Sequence, residues 1–117
     1  MPGSVIDLKI EETTDTGIII TWRPPDTGTV VDSYQVKANP IKTFSSTPLS
    51  ILSWNVQKEL RKFELLNLHP ATKYNISVIS KSGYEVGGIE SLIGETFVGS
   101  VYFMNFFKDL TKFFVLF

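Results

Sequence analysis

Apolar and polar residues alternate with a period of two along most of the chain. Ile18, Ile20 and Trp22 fall on one side, with Ile19 and Thr21 between them. Tyr34, Val36 and Ala38 alternate with Ser33, Gln35 and Lys37, and Tyr74, Ile76 and Val78 with Asn75 and Ser77. Such alternation is the pattern of strands with one face in a core and one in water. Val5, Leu8 and Ile10 predict a strand ahead of these, closed by the polar turn Glu11–Gly17. Pro24-Pro25-Asp26-Thr27-Gly28 stops the second strand, because proline cannot donate to a ladder. Asn39-Pro40 is expected to end the third.

Further along, the pattern predicts a short edge strand at Ile41–Phe44, a turn at Ser45–Pro48 and an extended piece at Leu49–Val56 holding Trp54. Phe63–Asn67 alternates less cleanly, and the Leu66 and Leu68 pair fits a strand running into a corner at Pro70. Ser82–Gly88 reads as a glycine-rich loop and Ile89–Phe97 as a last strand, with no helix before residue 100. Short strands separated by turn signals predict an all-β, immunoglobulin-like antiparallel sandwich. Trp22, Tyr34, Leu68 and Tyr74 are its expected core. Tyr74 opens a strand just after a proline turn, which is the setting of a tyrosine corner, whose hydroxyl bonds back to the preceding connection.

Composition narrows the class without naming a ligand. A chain of 117 residues with 43% hydrophobic and 20% charged content suits one globular domain. The net charge of -1 offers no footprint for nucleic acid. Without cysteine there are no disulfides, thiol nucleophiles or zinc–thiolate sites. Met1-Pro2-Gly3-Ser4 does not begin a signal peptide, and no stretch reaches the ~20 apolar residues of a spanning helix.

With these positions in order, residues 1–99 resemble a fibronectin type III domain. The resemblance is carried by Pro2 and Val5, Ile18-x-Ile20-x-Trp22 before Pro24-Pro25, and Tyr34-x-Val36. It continues in Leu68-x-Pro70-x-Thr72-x-Tyr74-x-Ile76-x-Val78 and in Gly83, Ser91 and Thr96. The connection from Pro40 to Arg61 is longer than is usual in that family. The resemblance implies one sheet of strands A, B and E and another of C, C′, F and G. It also implies an extracellular module, one bead in an array on a receptor or adhesion protein. Asn-x-Ser directly after the corner tyrosine looks like repeats in receptor-type tyrosine phosphatase ectodomains.

Candidate chemistry is sparse. Asn75-Ile76-Ser77 satisfies the N-glycosylation rule, and an inward Tyr74 turns Asn75 to solvent. The Gly83–Tyr84–Glu85–Val86 segment is the candidate protein-binding loop by position; the family's Arg-Gly-Asp motif is absent from it. His69 has no second histidine to share a metal or a proton relay and reads as a solvated turn residue. Lys58, Arg61 and Lys62 form a small basic cluster interleaved with Glu59 and Glu64, which reads as a solvated edge. No residue is assigned to catalysis, a cofactor or a metal.

Residues 100–117 differ in character. Phe103, Phe106, Phe107, Leu110, Phe113, Phe114 and Phe117 recur at helical spacing opposite Asn105, Lys108, Asp109, Thr111 and Lys112. Three readings compete: a helix on a membrane surface, a segment packed on the sandwich or a partner, and a non-native end. The abrupt change in composition favours the third, with membrane contact through residues 101–117 next. The sequence thus predicts a non-enzymatic binding or spacer module of a cell-surface receptor or adhesion protein, with neighbouring modules and protein partners. The alternative is a membrane-associated protein working through its Phe-rich tail.

Overall fold

The computed structural model describes residues 1–44 and 48–98. The Phe-rich tail and most of the expected Ser45–Pro48 turn lie outside them. Among the described residues seven strands run in order: β1 (Ile6–Thr13), β2 (Ile18–Arg23), β3 (Ser33–Thr43), β4 (Leu52–Gln57), β5 (Lys62–Leu65), β6 (Thr72–Ser82) and β7 (Glu85–Glu95). They form a three-stranded sheet, β1-β2-β5, and a four-stranded sheet, β4-β3-β6-β7, and every neighbouring pair is antiparallel. This is the division into two sheets that the resemblance implies.

The core is the set of alternating inward residues. Ile18, Ile20, Trp22 and Leu65 come from one sheet; Tyr34, Val36, Ala38, Val56, Tyr74, Ile76 and Val78 come from the other. Trp22 and Tyr34 meet edge to face with ring centroids 5.5 Å apart, an arrangement worth about 0.5–1.5 kcal/mol beyond the area buried. Trp54 and Phe63 make a second inter-sheet ring contact at 5.7 Å. Among the described residues no acceptor lies at hydrogen-bond geometry from the Trp22 Nε1, so packing holds that ring.

Several strand limits differ from the sequence expectation. Pro40 does not end the third strand: β3 continues to Thr43, with a register shift between Pro40 and Lys42, and Ile41–Thr43 belong to it rather than to a separate edge strand. β4 pairs with β3 only as far as Ala38. Beyond that point, among the described residues, β3 has a neighbour on one side alone, and there a proline is tolerated. The extended piece expected from Leu49 is shorter and becomes β4. β5 stops at buried Leu65; Leu66 is exposed, because Asn67 turns the chain with φ of 60° and Leu68 alone re-enters the core. The glycine-rich loop shrinks to a two-residue turn. Ser82 pairs with Glu85, so Gly83 and Tyr84 are the turn and Gly87 and Gly88 lie within β7. Gly83 has φ of 62°, as glycine allows at the first central position of a tight hairpin.

Gly87 and Gly88 serve a close approach. The N-terminal segment crosses β7 here: the Gly88 amide donates to the Pro2 carbonyl at 3.0 Å, and Pro2 is buried. A β-carbon on Gly87 would overlap Pro2, and one on Gly88 would overlap the Ser4 backbone. Gly88→Ala is therefore expected to lower stability by about 1–3 kcal/mol through overpacking. Exposed Glu90→Ala should stay within about 0.5 kcal/mol, both read by urea denaturation.

Candidate functional site

The turn from Leu68 to Thr72 is built from side-chain and backbone hydrogen bonds. Ala71, with φ of 49°, and Asn67 supply the two left-handed residues that reverse the chain. Tyr74 is buried, and its hydroxyl accepts from the His69 amide at 2.9 Å. The Thr96 hydroxyl donates to the His69 carbonyl at 2.6 Å and accepts from the Thr72 amide at 3.0 Å. Thr72 Oγ1 donates to the Pro70 carbonyl at 2.8 Å and lies 2.7 Å from Thr43 Oγ1. Four further backbone bonds tie this corner to the opposite sheet's first turn and to the chain's exit: Leu68 to Thr16, Ala71 to Phe97, Thr96 to Thr72, and Phe97 to Thr14. The His69 backbone is fully engaged, while its side chain is exposed.

At the opposite end the β6–β7 hairpin projects into solvent. Asp32 Oδ2 accepts from the Gly83 amide at 2.6 Å, and the Asp32 amide donates to Lys81, so the β2–β3 connection braces the hairpin. The Met1 ammonium pairs with Glu85 at 2.8 Å. Tyr84 is fully exposed and Val86 half-exposed. Tyr84 and Val86 thus stand on a short braced hairpin, with Glu85 and Val86 already in β7.

Asn75 lies in the middle of β6, half-buried on the outer face, with Asn39 of β3 and Ile93 of β7 as its register partners. It sits eight residues along β6 from Gly83, roughly 26 Å at strand rise, so the glycosylation candidate and the hairpin do not form one site. Trp22 and Tyr34 touch; Leu68 and Tyr74 lie with them in the same core cluster.

The basic cluster is divided. Arg61 Nη1 donates to the Lys58 carbonyl at 2.6 Å and the Leu60 carbonyl at 3.0 Å, and Lys62 pairs with Glu11 of β1 at 2.9 Å. Arg61, Lys58 and Glu59 border an open cleft with Pro24, Pro25 and Tyr34. Among the described residues no group of three or more His, Asp or Glu side chains is placed to hold a metal ion, and no helix is long and apolar enough to cross a membrane.

Sequence reasoning missed the joining roles of Thr96 and Asp32. Both act across long sequence separations, and neither carries a local signal beyond a polar residue beside a turn.

Burial pushes the Tyr34 phenol above its ordinary value; the Arg61 charge and the neighbouring Trp22 indole offset part of that rise. Burial likewise raises Tyr74, with the His69 amide working against it.

A family model of the fibronectin type III domain matches residues 2–95. The chain belongs to the fibronectin type III family. Among solved structures it is similar to the FN5 domain of Drosophila Lar, with a TM-score of 0.68 and 23% identity over 85% of this chain and 100% of that one. A two-domain fibronectin type III segment of chicken tenascin gives a TM-score of 0.68 at 29% identity, over 80% of this chain and 50% of that one. A 50-residue stretch is 46% identical to a Drosophila melanogaster protein named "Putative inactive tyrosine-protein kinase Wsck". That stretch is 42% of this chain and 6% of that protein.

Two predictions follow from the corner and the buried phenols. Tyr74→Phe, which strands the His69 amide, should cost about 0.5–1.5 kcal/mol, and Thr96→Val, which strands both the Thr72 amide and the His69 carbonyl, about 1–3 kcal/mol. Chemical denaturation checks both. The raised phenols also give a pH dependence. Above the ordinary tyrosine value of about 10 the unfolded chain releases protons that the folded chain retains, so stability falls as pH rises. The contribution is intact below that value and is lost as pH climbs through the folded values. Tyr74→Phe should shallow the decline in denaturation midpoint measured across alkaline pH.

Proposed function

We propose that the chain is a non-enzymatic protein-binding or spacer module of a cell-surface receptor or adhesion protein. The observation that carries this reading is the placement of the two ends of the sandwich. Met1 and Pro2 lie against Glu85, Gly88 and Gly28 at the hairpin end. Phe97 lies against Thr14 and Ala71 at the corner end. β7 separates these ends by its 11 residues, roughly 35 Å at strand rise. A chain that enters at one end of a stiff core and leaves at the other holds its neighbours apart, which suits one bead in an array. Residues 1–99 are the module in this reading, and 100–117 a separate tail.

The family supports the same context, since the similar tenascin segment carries two such domains in one chain. On this reading the module is extracellular, its neighbours are further domains, and Asn75 carries an N-linked glycan. The braced hairpin bearing Tyr84 and Val86 is the contact surface: a rigid aromatic on a short turn orders little on binding.

The test presents the full chain to a panel of receptor and adhesion-protein ectodomains and, separately, to lipid vesicles. Saturable ectodomain binding, weakened about tenfold or more by Tyr84→Ala as for an aromatic anchor, is the expected result. Vesicle binding that persists in Tyr84→Ala, with no ectodomain bound, contradicts the proposal and favours the Phe-rich tail.

A further inference from the structure

We propose that the N-linked glycan on Asn75 covers an apolar strip formed by Ile89 and Ile93 on the outer face of the four-stranded sheet. The inference rests on the reading of Asn75 as a glycosylation site and adds what the sugar does there.

The register defines the strip. On the outer face of β6 and β7, Asn75 stands opposite Ile93, Ser77 opposite Ser91, and Ile79 opposite Ile89. Elsewhere this face is polar, with Gln35 bonded to Ser53, Ser77 Oγ 2.9 Å from Ser91 Oγ, and Lys37 and Asn55 nearby. A sheet with one solvated face should carry polar residues there. Ile89 and Ile93 break that rule, remaining 57% and 53% exposed, and β7 is the last strand of its sheet. Ile79, between β3 and β7, is already 94% removed from water by its neighbours, at 6% exposure. Between Asn75 and Ile79, the uncovered apolar surface of β6 and β7 is therefore that of Ile89 and Ile93, both reached from Asn75.

Distance and tethering select the occupant. Directly opposed residues in an antiparallel pair place their β-carbons about 5 Å apart, so the first sugar on Asn75 lies beside Ile93. Ile89 is four residues further along β7, roughly 13 Å at strand rise, within reach of the second and third sugars. The route between them runs over the Ser77–Ser91 pair, whose short side chains leave the sugar room. Each N-acetylglucosamine presents C–H groups and an acetyl methyl to the isoleucines and hydroxyls to water. Because the sugar is covalently attached, its local concentration exceeds that of any free partner.

The test expresses the full chain behind a secretion leader in a glycosylating host. Intact mass reports occupancy of Asn75; a polarity-sensitive dye and sedimentation report the exposed strip. Loss of the glycan, by Asn75→Gln or by enzymatic removal from the folded protein, should strengthen dye binding and self-association about tenfold, the factor for re-burying one half-exposed isoleucine pair. Adding Ile89→Thr and Ile93→Thr to the Asn75→Gln chain should restore the level of the glycosylated protein. An occupied Asn75 with equal dye binding and sedimentation before and after glycan removal overturns the covering role alone. An unoccupied Asn75 overturns the glycosylation reading and this inference with it. Failure of the two threonines to restore the level overturns the assignment of the strip.

Discussion

The hydrogen bond from the His69 amide to the buried Tyr74 hydroxyl fixes the geometry on which the rest depends. It sits where the chain leaves the three-stranded sheet at Leu65 and joins the four-stranded one at Thr72. A crossing of this kind exposes backbone groups that no ladder can satisfy. Tyr74 takes one of them, and Thr96 takes two more from the end of β7. The tyrosine is also a core residue, so the same side chain that closes the turn packs with Ile76, Val78 and the opposite sheet. Turn, core and chain exit are thereby coupled: Phe97 leaves beside Ala71 because Thr96 is held against Thr72.

That coupling explains why the fold was largely legible in the sequence. The alternation in Ile18–Trp22, Tyr34–Ala38 and Tyr74–Val78 reports a face repeated every second residue, and the structure buries those faces. Tyr74 after Pro70 was readable as a corner because few other arrangements put an aromatic at that place. The departures have physical sources. Asn39-Pro40 carries the local signal of a strand end, but Pro40 lies beyond the last β3–β4 pair and β3 runs on to Thr43. Leu65 and Leu66 are adjacent and equally apolar, so alternation could not tell which faces inward, and the left-handed Asn67 decided it. Gly87 and Gly88 looked like a loop because their function, admitting Pro2 and Ser4, belongs to a segment more than eighty positions away.

Candidate chemistry was less legible for a different reason. The residues that carry the resemblance are those that make a sandwich, and a sandwich hosts many functions. Asn75 and the Tyr84 hairpin stand on the same two strands but far apart along them, one facing out from the sheet and the other at its end. The sheet face around Asn75 mixes bonded polar pairs with two exposed isoleucines, a combination visible only once the register of β6 and β7 is known. The hairpin's brace through Asp32 likewise needs the fold to bring positions 51 residues apart together.

The central claim is that the corner is part of the global core rather than a surface loop resting on it. Amide hydrogen exchange at His69 tests this most directly, because an exposed turn residue has no other cause for protection. The account predicts that the His69 amide exchanges only on global unfolding, at the same opening free energy as the amides at the centre of β6. Exchange of His69 near the rate of an unstructured peptide, with β6 still protected, would contradict it.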